Sequence, residues 1–216
     1  NVVVRQIGME IFSSKNENID DKEILDTSLK ILKSSRYRSS KLNIGNFKLF
    51  ELLINKLQIP QRWKQRLIKF FWNEKYFSEL LKRLESNLDI DPVAVAGDKK
   101  MYSKMIKLNQ KKIINGRSYK EIIKRFESKI NDPRQSETGK KSAKIIKEFL
   151  KIKCSLNNAP NILNKFFKKY DLNIFVNKDF FPIKNLKTKE TKFEFSTSIG
   201  RGREVEFYNS LIFSLD

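Results

Sequence analysis

The chain has 216 residues, with 45 lysines and arginines against 25 acidic residues, a formal net charge of +20 and no histidine. The lack of histidine removes the commonest general base and the commonest metal ligand, which excludes zinc sites and Ser-His or Cys-His catalysis within this segment. The single cysteine, Cys154, excludes a disulfide within the chain and is typical of a reducing cytoplasm.

The basic residues are spread along the whole chain and alternate with glutamates, as in "YKEIIKRFESK" and "KKSAKIIKEFLKIK". This dispersion predicts solvated helix faces, whereas a nucleic-acid-binding module would gather its lysines on one face. We therefore expect no nucleic-acid partner. The unpaired cysteine leads us to expect a cytoplasmic protein, and the lack of an apolar run of transmembrane length leads us to expect no membrane partner. Apolar runs at both ends predict that the segment belongs to a longer protein.

The first predicted element is a strand over residues 2–12, where "RQIGMEIF" alternates polar and apolar side chains. Side chains of a strand point to opposite faces in turn, so the two isoleucines and the methionine of this stretch share one face. Gln6, Gly8 and Glu10 then lie in a row on the other face.

The next elements follow from capping and helical spacing. Asp20, with Glu23 three residues later, predicts the start of a helix. The stretch "KLNIGN" predicts a strand that ends at Gly45. Three helices are predicted after it, in "FKLFELLINKL", "PQRWKQRLIKFFW" and "EKYFSELLKRLES".

An aromatic group in the second of these helices has two interpretations. Trp63, Leu67 and Phe70 recur at the spacing of one buried helix face, which indicates core. The alternative is that Trp63 and Phe70, together with Phe71 and Trp72, form an aromatic patch facing a partner.

The remaining elements return to strands at the end of the chain. Ser118 and Glu121 form a predicted capping box that opens a helix. Further helices are predicted in "SAKIIKEFLKI" and "APNILNKFFKKY", and strands in "KFEFSTSIG" and "REVEFYNSLIFSLD". This order of strands and helices predicts an α+β fold with an antiparallel sheet and a helical insertion.

Several of these stretches resemble one family. "RQIGMEIF" resembles the end of motif 2 in class II aminoacyl-tRNA synthetases of the histidyl branch. "NIGNFKLFELLINKLQIPQRWKQRLIKFFW" resembles the histidyl-tRNA synthetase-like regulatory subunits of ATP phosphoribosyltransferase. "NGRSYKEIIKRF" and "FSTSIGRGREVEFYNSLIF" are similar to later segments of the same family, and the motifs occur in the family's order.

The resemblance implies a class II synthetase-like fold, with an antiparallel sheet and an all-helical insertion. The synthetase-like domain is expected over residues 1–85 and 186–216, and the mainly helical insertion over residues 86–185. The same resemblance implies a regulatory subunit of histidine biosynthesis that has no catalysis or cofactor of its own. The expected partners are the catalytic subunit of ATP phosphoribosyltransferase, a further copy of the chain, and histidine as effector.

The resemblance also implies a histidine pocket between the two ends of the chain. Glu10 would attract the ligand ammonium, the Gln6 amide would donate and accept hydrogen bonds, and Gly8 would let the ligand approach the backbone. Arg201 would bind the ligand carboxylate. The side chains expected to flank the imidazole are Tyr208 and Asn209.

The second histidine motif departs from the synthetase pattern. The chain has two additional residues after Arg201-Gly202, Phe207 in place of one tyrosine, and Ser210 where glycine is common. Such changes suit a sensor pocket better than one that must act on a histidyl-adenylate. An active histidyl-tRNA synthetase, whose basic charge could hold tRNA, is the alternative function.

Overall fold

The computed structural model describes residues 17–34, 40–86, 92–108, 113–114, 116–130, 136–181, 191–199, 201 and 211–215. The predicted strand over residues 2–12 lies outside them. The helices of the described ranges are α1 Glu17–Ser34, α2 Phe47–Lys56, α3 Gln61–Lys69, α4 Glu74–Glu85, α5 Pro92–Leu108, α6 Tyr119–Ile130, α7 Ser136–Phe149 and α8 Ala159–Lys169. The strands are β1 Ser40–Asn46, β2 Ile113–Ile114, β3 Arg117–Ser118, β4 Lys153–Ser155, β5 Thr191–Ser196 and β6 Leu211–Leu215.

Four of the strands form one sheet in the order β4-β5-β1-β6. β1 pairs antiparallel with β6, and β4 pairs antiparallel with β5. The central pair, β1 and β5, is parallel, with Leu42 opposite Phe193 and Ile44 opposite Phe195. The prediction of an α+β fold is confirmed at this level.

The prediction of a wholly antiparallel sheet needs correction, because the described sheet is mixed. β1 and β5 run in the same direction, and a parallel pair requires a long crossover between its strands. The chain between them supplies that crossover, since it contains all the helices from α2 to α8.

One face of this sheet is apolar and is covered by α1. Leu42 and Ile44 of β1 are completely buried, and they cluster with Leu25 and Leu29 of α1 and Leu211 of β6. The cluster follows from the spacing of both elements, since residues i and i+2 share a strand face and residues i and i+4 share a helix face. α1 begins at Glu17, three residues before the predicted cap at Asp20.

A larger apolar core lies among the helices that follow β1. α2, α3 and α4 bury their apolar faces together, and the packing includes α7 and α8. Residues of α7 and α8 therefore pack against α4 and its neighbours across residue 85, where the sequence predicts a boundary. β4, at Lys153–Ser155, also joins the main sheet.

The ends of these helices are set by polar side chains. Asn46 and Asn73 act as N-caps, accepting from the backbone N–H of Lys48 and of Tyr76. The predicted capping box is present: Glu121 N–H donates to Ser118 Oγ at 3.3 Å, and Ser118 N–H donates to Glu121 Oε2 at 2.9 Å. These reciprocal bonds satisfy two backbone donors at the start of α6.

α5 and α6 pack on one another. The Tyr119 hydroxyl donates to the Met105 carbonyl at 2.8 Å, and Lys129 pairs with Asp98 at 2.6 Å. The short antiparallel hairpin of β2 and β3 lies between these helices in the chain.

Candidate functional site

The second face of the sheet carries polar side chains. Alternation along the strands, together with the observed register, places every second residue of β1, β5 and β4 on this face. We call it the polar face, and its residues on the three strands β1, β5 and β4 are Lys41, Asn43, Gly45, Lys192, Glu194, Ser196, Lys153 and Ser155.

The turn that follows β5 is fixed by hydrogen bonds at one end of this face. The buried Thr197 hydroxyl donates to the Phe149 carbonyl, and Thr197 N–H donates to the Ile152 carbonyl at 3.2 Å. Ser196 Oγ accepts from Ser198 N–H at 3.3 Å. The end of β5 is therefore tied to the end of α7.

Gly45 lets this turn cross over β1. A Cβ atom added at Gly45 would lie inside van der Waals contact of Ile199 Cγ2 and 2.8 Å from the Ser196 carbonyl oxygen. No larger residue fits without displacement of the turn. A glycine inside a strand often marks such a close backbone approach.

The turn delivers Arg201 to the helical core. Arg201 N–H donates to the Ser198 carbonyl at 3.3 Å, which continues the turn. The side-chain Nε donates to the Phe71 carbonyl at 3.2 Å. The guanidinium carbon lies 4.8 Å from the centre of the Phe77 ring and 5.5 Å from that of Phe71, both within cation–π range.

The aromatic base under Arg201 is rigid. Phe71 and Phe77 are almost completely buried. Phe71 contacts Phe50 at 4.4 Å between ring centres, and Phe47 and Trp72 at 5.1 Å and 4.9 Å. Aromatic side chains packed in this way have few alternative rotamers, so the guanidinium lies on a fixed surface.

The same packing decides between the two interpretations of the aromatic residues in and directly after α3. Trp63, Phe71 and Trp72 are buried in the core cluster, and Phe70 is partly buried against it. The core interpretation is confirmed for Trp63 and Leu67, which are completely buried, and holds in part for Phe70. The partner-facing patch is wrong for Trp63, Phe71 and Trp72.

The electrostatics of Arg201 favour an anionic ligand. Burial lowers the pKa of the guanidinium from its ordinary value, and the nearby Glu74 carboxylate opposes that shift. An arginine stays protonated in proteins even so. Within the described part of the chain, neither Nη atom has a hydrogen-bond or ion-pair partner. The two Nη atoms can thus donate to a carboxylate or phosphate.

Of the six residues that the sequence assigns to a histidine pocket, the structure describes Arg201. The other five, Gln6, Gly8, Glu10, Tyr208 and Asn209, lie outside the described residues, so their roles remain predictions. Two residues that position Arg201, namely Gly45 and Thr197, were not among the predicted site residues. For Gly45 the sequence signal is a glycine inside a predicted strand, which often marks a close backbone approach. No sequence signal predicts the role of Thr197.

Other chemistry is sparse in the described ranges. They contain no group of three or more Cys, Asp or Glu side chains that could hold a metal ion. Partial burial raises the pKa of the Cys154 thiol, which keeps it protonated and unreactive near neutral pH. No helix in the described ranges has the length and apolar character needed to cross a membrane.

No protein-family model, curated protein or solved structure matches this chain.

Proposed function

We propose that the chain is part of a non-catalytic regulatory subunit of ATP phosphoribosyltransferase that activates the catalytic subunit and binds histidine as an effector. The observation that carries the proposal is the state of Arg201. Its Nε is held by the Phe71 carbonyl and its charged plane lies over two buried rings, while both Nη atoms have no partner among the described residues.

This arrangement suits the carboxylate of a free amino acid. A guanidinium donates two parallel hydrogen bonds to a carboxylate, and it does so with less loss of entropy when its own position is already fixed. The order of the motifs along the chain supports histidine as that amino acid, and the same resemblance supports a class II synthetase-like fold. Gln6, Gly8 and Glu10 are proposed to complete the pocket from the first strand, and Tyr208 and Asn209 from the last.

Regulation then requires a coupling free energy between two sites. Histidine must bind one arrangement of the complex with the catalytic subunit better than the other, typically by ~1–3 kcal/mol. The degenerate second histidine motif suits this role, because a sensor needs selective binding but no transition-state geometry.

The test is reconstitution of the full-length protein with the catalytic subunit of ATP phosphoribosyltransferase. We expect the catalytic rate to rise on addition of the protein and to fall again as histidine is added. Absence of any effect on the catalytic subunit would remove the assembly role, and activation that is insensitive to histidine in both wild type and Arg201→Met would remove the sensor role.

The alternative, a histidyl-tRNA synthetase, is favoured by the net charge of +20, which could hold tRNA. Histidine-dependent exchange between pyrophosphate and ATP separates the two functions. We expect no exchange from this protein, and exchange above background would support the synthetase.

A further inference from the structure

Three lysines from three adjacent strands converge on one carboxylate in the polar face. Glu194 of β5 lies 3.0 Å from the Lys41 ammonium, 3.5 Å from that of Lys153 and 3.7 Å from that of Lys192, measured between nitrogen and carboxylate oxygen. We call these four residues the lysine cradle. Lys41 and Lys192 occupy the starts of β1 and β5, whereas Lys153 pairs with Ser196 at the end of β5, where the turn over Gly45 begins.

Backbone register explains why the cradle forms. Lys41 pairs with Lys192 across β1 and β5, and Ser155 pairs with Glu194 across β4 and β5. Lys153 is two residues from Ser155 and therefore lies on the same face as Glu194, at a diagonal position. Like charges directly opposite one another destabilise a sheet, so the Glu194 carboxylate is what lets Lys41 and Lys192 occupy neighbouring positions.

The cradle has a charge surplus. The contact with the Lys41 ammonium lowers the pKa of the Glu194 carboxyl, opposed by partial burial, so the carboxylate is ionised near neutral pH. One negative charge faces three positive ones, which leaves a net charge of about +2. The cradle can therefore accept a further anion without losing its own ion pairs.

The cradle is also accessible. The side chains of Lys41, Lys153 and Lys192 are 36%, 59% and 78% exposed, whereas Glu194 is 16% exposed. The carboxylate thus lies at the base and the ammoniums extend above it. The exposed Ser155, opposite Glu194 in the sheet, adds a hydroxyl donor on the same face.

We propose that the lysine cradle binds the phosphate group of a small phosphorylated molecule, with the three ammoniums donating to its oxygens and Glu194 holding them in place. A phosphate monoester carries close to two negative charges at neutral pH, which matches the surplus. The cradle spans three neighbouring strands and is sized for one phosphate group rather than for the long track of a nucleic-acid backbone. This site is independent of the histidine pocket, and either can fail without the other.

The experiment is titration of the full-length protein with inorganic phosphate and with glycerol 3-phosphate at fixed ionic strength, followed by calorimetry and by NMR of the lysine side chains. We expect saturable binding, with the Lys41, Lys153 and Lys192 signals moving together. Tighter binding of glycerol 3-phosphate would assign the site to an organic ester, and equal or weaker binding would assign it to inorganic phosphate alone and overturn the organic part of the proposal.

Variants separate this site from the general basic charge. Lys153→Gln and Lys192→Gln each remove one ammonium and are expected to weaken binding roughly tenfold. Lys82→Gln is the matched control, since it removes the same charge from an exposed pair with Glu79 on α4 and is expected to leave affinity unchanged.

The proposal is overturned if phosphate binding is absent or unsaturable, or if Lys153→Gln and Lys192→Gln titrate like Lys82→Gln. It is also overturned if these lysines are needed for binding of a single-stranded RNA oligonucleotide while neither phosphate probe binds. Amide chemical shifts of the variants in the absence of ligand establish that each retains the wild-type fold.

Discussion

Gly45 of β1 lies directly beneath Ile199 of the turn after β5, in a contact that leaves no room for a Cβ atom. This contact determines how closely the turn packs on the sheet. Arg201 follows the turn, and its guanidinium lies over the rings of Phe71 and Phe77. A glycine in a strand therefore determines where the candidate ligand-binding arginine lies.

Replacing Gly45 by alanine is expected to destabilise the fold by ~1–3 kcal/mol, because the added methyl group must displace Ile199 and the Ser196 carbonyl. Urea unfolding measures the loss. Gly97→Ala in α5 is the matched control, since a Cβ there meets nothing within 4 Å, and it is expected to stabilise its helix by about 0.5–1 kcal/mol. Equal effects of the two substitutions would contradict this role of Gly45.

Thr197→Val is expected to lower the free energy of unfolding by about 0.5–1.5 kcal/mol, because the hydrogen bond from the Thr197 hydroxyl to the Phe149 carbonyl is lost while the side-chain volume is kept. The Phe149 carbonyl still accepts from Ile152 N–H, so it is not left without a donor. Thr197→Ser keeps the hydroxyl and is expected to cost less. Urea unfolding of both variants gives the comparison. If Thr197→Ser is the more damaging of the two, the methyl group rather than the hydroxyl holds the turn.

Ser118→Ala is expected to destabilise the start of α6 by ~1 kcal/mol, because Glu121 N–H loses its acceptor. Hydrogen exchange reports the change. In Ser118→Ala the amides in the first turn of α6 are expected to exchange faster than in wild type, whereas the amides of α7 are expected to exchange at the wild-type rate. Ser118→Thr retains an N-cap hydroxyl and serves as control. Unchanged exchange in Ser118→Ala would mean that the capping box adds nothing to the helix.

The packing of α7 against the end of α8 is expected to weaken in acid. Glu148 accepts hydrogen bonds from the Lys169 ammonium and the Tyr170 hydroxyl, and these bonds lower the pKa of its carboxyl. A carboxyl whose pKa is lower when folded stabilises the fold above its unfolded pKa of about 4.3, and that contribution is lost as the pH falls through the folded value.

Urea midpoints measured from pH 7 to pH 3 test this prediction. The difference in urea midpoint between wild type and Glu148→Gln is expected to be largest near neutral pH and to shrink below about pH 4. Glu137→Gln, which removes an exposed carboxylate of α7 that pairs with Lys140, is expected to shift the midpoint little at any pH. If the difference in urea midpoint between wild type and Glu148→Gln stays constant with pH, the charge of Glu148 does not stabilise the fold.

The parts of the fold that the sequence predicts well are those where local chemistry decides. The capping box at Ser118 and the spacing of Trp63 and Leu67 depend on residues within one helix, so a single segment contains the whole signal. The α+β class follows from the same local patterns, because the period of the apolar residues changes from strand to helix and back.

The missed features depend on contacts between distant segments. β4 has three residues with one apolar side chain, Cys154, which is too short for an alternating pattern. The parallel direction of β1 and β5 is a property of the crossover and leaves no mark in either strand. Lys41, Lys153 and Lys192 come from separate segments, and each looks like one more surface lysine until the register brings them together.

The candidate site divides in the same way. A motif predicts Arg201 as a site residue, but its support by Phe77 and by Phe71, which is 130 residues away in the chain, has no local signature. That support fixes the position of the guanidinium, which is what a preorganised anion site would require.

Calorimetric titration of the full-length protein with histidine, for wild type and for Arg201→Met, tests the central claim most directly. Arg201→Lys is the control, because it keeps the positive charge but cannot form bidentate hydrogen bonds with a carboxylate. Urea unfolding confirms that each variant is folded. We expect saturable binding by wild type, a loss of at least roughly tenfold in Arg201→Met, and an intermediate affinity in Arg201→Lys. No binding by wild type, or equal affinity in Arg201→Met, would contradict an effector site at Arg201.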